Sequence, residues 1–470
     1  LEIEVETNTV KAVRNACGMG ESKFLGYSSH RPQKPLIRKN GELVEASLSE
    51  AIKKSAEILA NSSYPILYGW SNTSCEATSV GVELAEEIGG IIDNTSTVCH
   101  GPSVLSIQDV GFSTCTLGQV RHRADLIIYW ASNPWSAHPR HLERYTNFTE
   151  GRFRPSAWNK YLGGLGSYRA ERRRQRAAKL AGEIHGVSVE VPSVEEQPRS
   201  LPHTLFEKGR KMIVVDVRRT RTADIADYFL QVEPNKDYEI FQALRILLQD
   251  GELEVDSVGG VPVEILEDLV DLLAGCEFGV LFFGVGLTMS EGKLRNIEAG
   301  ISLVRDLNQF TKFTIMPMRG HYNVTGANIV STWQTGYPFA VDFSHGYPRY
   351  NPGETSVVDV LSRDESDAAL IVASDPVANF PKGASQNLIK NPLIVVDTGI
   401  SATSMFADVV LPSAVSGIEV EGTAYRMDRV PLPLKKVVQP PKAVYSDEQL
   451  LKRILREVRR IKKNAGRGDP

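Results

Sequence analysis

The chain has 470 residues, a length that predicts two to four domains rather than a single core. It is 42% hydrophobic and 23% charged, as globular proteins are, and its formal net charge of −4 disfavours a nucleic-acid binder that relies on phosphate neutralisation. Because the sequence contains no apolar run of about 18 residues and no signal-peptide pattern, we expect a cytoplasmic protein without a membrane span.

Five cysteines are scattered along the chain, and their odd number disfavours a disulfide framework. Cys75, Cys115 and Cys276 are interpreted as small buried hydrophobic residues. Cys99 differs from them because His100 and a Gly-Pro pair follow it directly. It has neither the neighbouring cysteine nor the second histidine that a zinc site requires.

Helix-like segments alternate with apolar runs from about residue 48 onward. The helical pattern is clearest in LSEAIKKSAEILANS, residues 48–62, and in DYEIFQALRILLQD, residues 237–250. Continuous runs of Val, Ile, Leu and Phe predict strands buried on both faces, in chain order at 64–74, 124–134, 211–220, 279–290, 368–376 and 391–399. This alternation predicts βαβ units and therefore an α/β fold.

The segment 151–205 interrupts this alternation. It contains the basic, helix-prone stretch SYRAERRRQRAAKLAGEIHG and a polar, proline-containing continuation. We interpret it as a solvated surface insertion, and a docking surface for a partner subunit is the alternative.

Polar and small residues follow the predicted strands. In parallel sheets, ligands bind beyond the carboxyl ends of the strands, where loops present backbone N–H groups. Acidic side chains there accept hydrogen bonds from ribose or guanine, and glycines let phosphates approach. These loops predict a large nucleotide-bearing ligand, and they contain Ser71, Asn72, Asn133, Pro134, Asp216, Arg218, Gly284, Gly286, Asp375, Pro376 and Asp397.

Four long segments carry a resemblance to a known family. They are STVCHGPSVLSIQDVG, ADLIIYWASNPWSAHPRHLERY, MRGHYNVTGANIVSTWQTGYPFAVDFSHGYPRYNPGETS and DVVLPSAVSGIEVEGTAYRMDRVP. Together they resemble the B subunits of formylmethanofuran dehydrogenase, the tungsten- or molybdenum-dependent enzyme of methanogenic archaea that reduces carbon dioxide. The resemblance covers nearly the whole chain outside 151–205. More distantly, the chain is similar to the pterin-dependent formate dehydrogenase and dimethyl sulfoxide reductase superfamily.

The resemblance implies two intertwined, doubly wound (Rossmann-like) α/β domains of the molybdopterin oxidoreductase type. They would hold two pterin guanine dinucleotides. Residues 1–45 would form an N-terminal lobe that is the truncated remnant of an iron–sulfur domain. A discontinuous pterin-binding domain would comprise 46–110 and 317–430, and a second pterin-binding domain, 111–316, would contain the insertion. Residues 431–470 would form a C-terminal tail with a helix.

The resemblance also implies roles at the catalytic centre. Cys99 would be the protein ligand of tungsten or molybdenum, since a soft thiolate complements the pterin sulfurs. His100 would donate a hydrogen bond or relay a proton, although a core or helix-capping histidine is the alternative. Arg319 would hold a carboxylate, with His321 as a neighbouring candidate, and a structural arginine on pterin phosphate is the other interpretation.

Further residues are expected to bind the pterin nucleotides. The expected set is Asn133, Asp216, Arg218, Thr220, Gly284, Gly286, Gln334, Thr335, Asp375, Asp397, Glu421 and Gly422. Cys17 resembles the last of four ligands of a [4Fe–4S] cluster. The other three would lie upstream of Leu1, either trimmed from this sequence or truly absent. The retained thiol favours trimming, so a cluster is expected in the complete protein.

Three functions compete. The first is the catalytic subunit, which reduces carbon dioxide to formate. The resemblance implies that it works with an amidohydrolase-like A subunit, which condenses formate with methanofuran. The other partners implied are a β-helical C subunit, a barrel D subunit and ferredoxin-like electron carriers. The second is a non-redox structural subunit of a formyltransferase/hydrolase complex, against which an intact Cys99–His100 pair argues. The third is a metal-free thiol enzyme, for which no orienting third group is evident.

Overall fold

A computed structural model describes residues 1–29, 31–152, 200–207 and 209–465 of the chain. The predicted surface insertion, 151–205, lies almost entirely outside these residues. The chain divides into two units. Unit 1 consists of Leu1–Gly101 and the chain from Arg319 onward, and unit 2 consists of Pro102–Met318.

The elements are numbered in chain order. The first segment contains β1 (Glu2–Glu6), β2 (Thr9–Arg14), α1 (Gly18–Leu25), β3 (Leu36–Lys39), β4 (Glu42–Glu45), α2 (Leu48–Ala60), β5 (Pro65–Gly69), α3 (Cys75–Ile88), β6 (Ile91–Asn94) and a 3₁₀ helix (Thr95–Val98).

The middle segment begins with α4 (Gly101–Val110). It continues with α5 (Leu117–Arg123), β7 (Leu126–Trp130), α6 (Pro134–Ala137), α7 (His141–Tyr145), a 3₁₀ helix (His203–Phe206), β8 (Lys211–Asp216), α8 (Arg221–Asp224), β9 (Tyr228–Gln231), α9 (Asp237–Leu248), β10 (Ser257–Val258), β11 (Val261–Pro262), α10 (Val263–Gly275), β12 (Phe278–Phe283), α11 (Val285–Met289), α12 (Leu294–Leu307) and β13 (Lys312–Pro317).

The last segment completes unit 1. It contains α13 (Val324–Thr335), β14 (Val341–Asp342), β15 (Arg349–Tyr350), α14 (Val357–Ser362), β16 (Ala368–Val372), α15 (Pro376–Asn379), α16 (Lys382–Leu388), β17 (Leu393–Asp397), a 3₁₀ helix (Thr403–Phe406), β18 (Val409–Pro412), β19 (Gly422–Tyr425), β20 (Pro431–Leu434) and α17 (Asp447–Ala465).

Unit 2 is built on a parallel sheet of five strands. Its order is β13–β12–β7–β8–β9, and every neighbouring pair runs in parallel. The chain passes from β7 to β8 on one side and reaches β12 on the other. The loops after β7 and β12 therefore flank a topological switch point, the place where open α/β sheets bind ligands.

Unit 1 is built on a sheet of nine strands, in the order β15–β14–β6–β5–β16–β17–β18–β3–β4. The central five strands, from β6 to β18, are parallel, and antiparallel pairs extend the sheet at both edges. The switch point lies between β5 and β16. The edge strands β3 and β4, residues 36–45, fall within the segment that the sequence assigned to an N-terminal lobe.

The buried strands contribute side chains to hydrophobic clusters on both faces of a sheet. In β5, Leu67 faces one hydrophobic cluster, whereas its neighbours Ile66 and Tyr68 face a second cluster on the opposite face of the sheet. The continuous apolar runs predicted for parallel strands are thus confirmed at β5, β7, β8, β12, β16 and β17. The predicted helices correspond to α2 and α9.

The last helix, α17, covers one face of the unit 1 sheet. Its apolar side chains Leu450, Leu451, Ile454, Leu455 and Val458 are buried in the same cluster as residues of α2 and α3. Its basic residues stay at the surface, where Arg459 pairs with acidic residues of α3. None of the described helices is long and apolar enough to span a membrane.

Candidate functional site

Cys99 lies on the wall of a cavity in unit 1. It follows the 3₁₀ helix Thr95–Val98, which Asn94 begins by accepting a hydrogen bond from Ser96 N–H at 2.9 Å. Cys99 N–H then donates to the Ser96 carbonyl at 3.0 Å. These bonds fix the backbone that presents the sulfur to the cavity, whose volume is about 1340 Å³.

Arg319 is held near Cys99 by a short hydrogen-bonded chain. Its Nη1 donates to Asn328 Oδ1 at 2.9 Å, and Asn328 Nδ2 lies 3.0 Å from Ser96 Oγ. Asn328 also donates to the Pro338 carbonyl at 3.0 Å. The guanidinium is therefore oriented by the same residue that contacts the turn before Cys99.

Burial and charge act in opposite directions on Cys99. Burial raises the pKa of its thiol, and the positive charge of Arg319 partly offsets that rise. Burial, assisted by repulsion from Arg429, lowers the pKa of Arg319 to about 10. Arg319 consequently remains charged at neutral pH, whereas the Cys99 side chain is mainly a thiol.

The two candidate histidines differ in position. His100 is buried, with 1% exposure. His321 lines the cavity, and its Nδ1 lies 3.2 Å from Asn72 Oδ1. Burial lowers the pKa of His321 below its ordinary value of 6.5, so this imidazole is neutral at neutral pH and can exchange a proton.

Two predicted strand-end carboxylates share this cavity with Cys99. Asp375, after β16, accepts hydrogen bonds from the backbone N–H groups of Ala402 and Thr403 at 3.2 and 2.9 Å. Asp397, at the end of β17, accepts from Thr398 N–H at 2.6 Å. Burial raises the pKa of Asp397 to about 6, and the nearby charge of Asp447 contributes to the rise.

The unit 1 switch point requires a close backbone approach. Gly69, the last residue of β5, has a φ of 128°, and a Cβ placed on it would lie 1.9 Å from the Val372 carbonyl oxygen of β16. Only glycine fits such a position. The loop after β5 therefore runs directly beside the loop after β16.

The corresponding loops of unit 2 are equally close. A Cβ on Gly284 would lie 2.3 Å from the Ala131 carbonyl oxygen, and one on Gly286 would lie 2.6 Å from Ala131 Cβ. Both glycines thus bring the loop after β12 against the loop after β7, where Asn133 begins α6. This packing function does not require phosphate contact.

The other unit 2 candidates lie at the end of β8. Asp216 accepts a hydrogen bond from Arg218 N–H at 3.3 Å, and burial raises its pKa. Thr220 is buried and caps α8 by accepting from Ala223 N–H at 3.3 Å. Arg218 is exposed.

The remaining four unit 1 candidates lie outside the loops that follow the buried parallel strands. Gln334 Nε2 donates to Ser79 Oγ at 3.0 Å, and the buried Thr335 hydroxyl donates to Ser331 O at 2.8 Å within α13. Glu421 is exposed. Gly422 begins β19, where a Cβ would lie 2.8 Å from Ser74 Cβ. The structure does not bring these four to the cavity lining in the described part of the chain.

Cys17 caps α1, and its sulfur accepts a hydrogen bond from Gly20 N–H at 3.3 Å. Within residues 1–29, 31–152, 200–207 and 209–465, no group of three or more His, Cys, Asp or Glu side chains is arranged to hold a metal ion. The described chain therefore does not provide four cysteine ligands for an iron–sulfur cluster.

Each unit contains the same strand-end motif, which the sequence analysis missed. Ala-Ser-Asn-Pro follows β7 at 131–134, and Ala-Ser-Asp-Pro follows β16 at 373–376. In both, the alanine has a positive φ, 49° and 48°, and the proline begins a short helix. Asn133 and Asp375 are therefore equivalent positions.

A second repeated segment supplies the partners of these residues. VVDVRRTRTADIADYFL, residues 214–230, aligns without gaps with VVDTGISATSMFADVVL, residues 395–411, and they are identical at seven of seventeen positions. Thr222 donates to Asn133 Oδ1 at 2.6 Å, and Thr403 donates to Asp375 Oδ1 at 2.6 Å. Each threonine hydroxyl also accepts a hydrogen bond from a backbone N–H, that of the residue two positions after its partner. Alignment of the sequence with itself would have identified both threonines.

No protein-family model matches the chain. Among curated proteins, it is 46% identical to the B subunit of the tungsten-containing formylmethanofuran dehydrogenase 2 of Methanocaldococcus jannaschii, over 98% of this chain and 95% of the relative. It is 42% identical to the protein of the same name from Methanococcus maripaludis, over 98% and 96%. The alpha subunit of F420-dependent formate dehydrogenase 1 of the latter organism is 23% identical, over 95% and 66%.

Two solved structures share the fold. One is the formyltransferase/hydrolase complex of Methylorubrum extorquens with methylofuran, at a TM-score of 0.66 and 18% identity, over 92% of this chain and 99% of that one. The other is acetylene hydratase from Pelobacter acetylenicus, at 0.64 and 14%, over 97% and 67%. At these identities the likeness concerns the fold alone.

Proposed function

The chain belongs to the family of formylmethanofuran dehydrogenase B subunits, and from this membership we propose that it is the subunit at which carbon dioxide is reduced to formate. The observation that carries the proposal is the place of Cys99, a soft sulfur donor on the wall of a large cavity with the Arg319 guanidinium nearby. Formate would then pass to a partner subunit for condensation with methanofuran.

The cofactor we propose is tungsten or molybdenum with two pterin guanine dinucleotides. The cavity of about 1340 Å³ exceeds the usual volume of drug-sized ligand pockets, as a dinucleotide requires. The strand order gives each sheet one switch point, and a strand-end motif lies beside each of them, which supports one nucleotide per unit. The residues present therefore fit the group. When bound, the metal would supply the transfer of two electrons.

The residues of the chain would provide binding and proton handling. Cys99 would ligate the metal as a thiolate, a state that Arg319 favours. Arg319, charged and oriented by Asn328, would hold the carboxylate of formate by paired hydrogen bonds. Reduction consumes one proton for each two electrons, and His100 or the neutral His321 would exchange it.

Cys17 supports a [4Fe–4S] cluster only if further ligands come from residues outside this sequence, so we derive no step through a cluster. The partners we propose are the A, C and D subunits and ferredoxin-like carriers. The relatives are named as B subunits of an enzyme, which supports a complex with several chains.

Elemental analysis of the natively isolated complex, combined with viologen-linked formate oxidation, tests the proposal. We expect about one tungsten or molybdenum per chain. Cys99→Ala should lose both metal and activity, whereas the matched control Cys115→Ala, at a buried cysteine of unit 2, should keep both. An intact complex without either metal would instead support the structural subunit.

The thiol enzyme is tested by alkylation of the loaded complex. A raised thiol pKa already disfavours Cys99 as a nucleophile. Rapid labelling of Cys99 by iodoacetamide in the fully loaded complex would support that function, because a metal-bound sulfur is protected.

A further inference from the structure

Asp93 is a buried carboxylate that joins three segments of unit 1. It is the third residue of β6 and has 1% exposure. Its Oδ1 accepts hydrogen bonds from the backbone N–H groups of Asn94 at 2.8 Å and Ala340 at 3.1 Å, and its Oδ2 accepts from the Val357 N–H at 2.9 Å. The Thr97 hydroxyl lies 2.8 Å from Oδ1 and 2.6 Å from Oδ2. Both oxygens are thus engaged by donors from different parts of the chain.

Thr97 belongs to the turn that presents Cys99. It lies in the 3₁₀ helix Thr95–Val98, and Cys99 follows this helix directly. The contact between Thr97 and Asp93 therefore fixes the turn through a side chain, in addition to the backbone bond from Cys99 N–H to Ser96. Because a single residue separates Thr97 from the cysteine, a displacement of this turn displaces the sulfur as well.

The long-range donors belong to a segment that the proposed function does not use. Residues 336–356 carry part of the family resemblance, and no cofactor or substrate role is assigned to them. Ala340 lies within this segment, and Val357 follows it directly. Ala340 has a φ of 51°, a conformation that residues other than glycine rarely adopt, and its carbonyl accepts a hydrogen bond from Thr355 Oγ1 at 2.7 Å. Asp93 and Thr355 together hold this backbone in place.

The same segment contacts the chain on both sides of Cys99. Before the cysteine, the Pro338 carbonyl accepts a hydrogen bond from Asn94 Nδ2 at 3.2 Å. After it, a Cβ placed on Gly101 would lie 3.6 Å from Cζ of the Phe339 ring. The segment is therefore the surface against which the turn that presents the cysteine is built.

The donors around Asp93 require a group that only accepts hydrogen bonds. Three backbone N–H groups and a hydroxyl converge on it, and an ionised carboxylate has acceptor sites for all four. Burial raises the pKa of Asp93 to about 6, while the hydrogen bonds from Thr97 and from the backbone oppose the rise. The carboxyl is therefore mainly ionised at neutral pH. Asparagine would turn an amino group toward one of the donors, so an amide is a poor substitute.

We propose that Asp93 is a positioning residue for the Cys99 sulfur, because it ties the turn, through Thr97, to the segment 336–356. Asp93 is not among the described residues that line the cavity, so it acts through the turn and not on a ligand. This inference rests on the proposed function, in which the sulfur is the metal ligand.

The test measures iodoacetamide labelling of the full-length chain, produced in a host that cannot make pterin guanine dinucleotide. The rate at Cys99 is divided by the rate at Cys75, a buried thiol of the same unit, so that labelling through unfolding of unit 1 as a whole cancels. Thr97→Val removes the hydroxyl and should raise this ratio at least about fivefold, because loss of one hydrogen bond shifts a local opening equilibrium by about this factor. Thr97→Ser keeps the hydroxyl and should leave the ratio unchanged.

Asp93→Asn should raise the ratio further, since it disturbs the turn and the segment at once. Asp125→Asn is the matched control and should leave the ratio unchanged. Asp125 is equally buried, but in unit 2, where its carboxylate accepts from the backbone N–H groups of Glu277 and Phe278 at 2.8 Å each. If Asp93→Asn fails to fold, the two Thr97 variants still decide, because Thr97→Val leaves the backbone donors of Asp93 in place.

In the natively isolated complex, Thr97→Val should keep its metal and lower the kcat of formate oxidation severalfold per bound metal, because a displaced ligand misplaces the reacting centre. An unchanged ratio of Cys99 to Cys75 labelling in folded Thr97→Val, or an equal rise in Asp125→Asn, would overturn the inference. So would an unchanged kcat. The proposed function fails separately, through absence of tungsten and molybdenum from the native complex, whereas the labelling test uses no metal.

Discussion

At the scale of single residues, Cys99 depends on distant parts of the chain. Arg319 lies 220 positions later in the sequence, and Asn328 connects it to Ser96 in the turn before the cysteine. The sequence placed Cys99 and Arg319 in one site only through the family resemblance. In the structure, these hydrogen bonds explain the orientation of the guanidinium.

Alkylation of the cofactor-free chain should report the interaction of Arg319 with Cys99. The iodoacetamide rate at Cys99 follows the thiolate fraction, so it should rise with pH and reach half its maximum above the ordinary thiol pKa of 9.0. Arg319→Met removes the positive charge, which should move that midpoint to still higher pH and slow labelling severalfold at pH 8. Mass spectrometry of the Cys99 peptide measures the rate.

Arg363→Met provides the comparison, since Arg363 is exposed and paired with Glu365 on the surface of unit 1. An Arg319→Met midpoint equal to that of the unmodified chain would contradict the electrostatic interaction.

At the scale of elements, the repeated threonines link neighbouring strand ends. Thr222 and Thr403 are fully buried, and each both donates and accepts a hydrogen bond with the loop that follows an adjacent strand. These loops contain Asn133 and Asp375, which the sequence assigned to nucleotide binding. Their side-chain oxygens also have an internal structural function.

Thr222→Val and Thr403→Val should each lower the free energy of unfolding by about 1–3 kcal/mol, because each removes the hydrogen bond that the hydroxyl donates and leaves a part-buried backbone N–H without its acceptor. The effect should be larger for Thr403, whose partner Asp375 is a carboxylate. Denaturant titration measures the change in the free energy of unfolding, and hydrogen exchange shows which strands of each unit are affected. Ser362→Ala, which removes an exposed helical hydroxyl, should change the stability by less than about 0.5 kcal/mol.

At the scale of the whole molecule, each unit has a core of its own. The large cluster around β7 and β12 consists of unit 2 residues, and the cluster beneath α17 consists of unit 1 residues. The chain leaves unit 1 after Gly101 and returns at Arg319, so unit 1 is completed only by residues from both ends of the sequence. The C-terminal helix is part of that core.

Leu451→Ala should destabilise unit 1 by about 2–5 kcal/mol, since Leu451 is fully buried and its loss leaves a cavity between α17 and the sheet. Hydrogen exchange should accelerate in β5 and β16. Strand β12 serves as the internal reference, because its core consists of unit 2 residues. Arg456→Ala, at an exposed position of the same helix, is the control, and equal exchange in both variants would show that α17 is not part of the stable core.

The sequence by itself determined the α/β class, the six buried strands and the family. Continuous apolar runs and strand-end polar residues are local patterns. A family resemblance over nearly the whole chain can likewise be recognised without knowledge of the fold. The antiparallel edge strands β3, β4, β14 and β15 were not anticipated, because they are short and lack a continuous buried run.

Only the tertiary structure decided which side chains meet. Asp447 belongs to a polar stretch that resembles any exposed helix start, and its burial follows from the packing of α17 against α2 and α3. Thr73, which holds it, lies 374 positions earlier. Such contacts depend on pairings between distant strands and helices, and a hydrophobicity pattern read along the chain specifies the face of each element but not its neighbour.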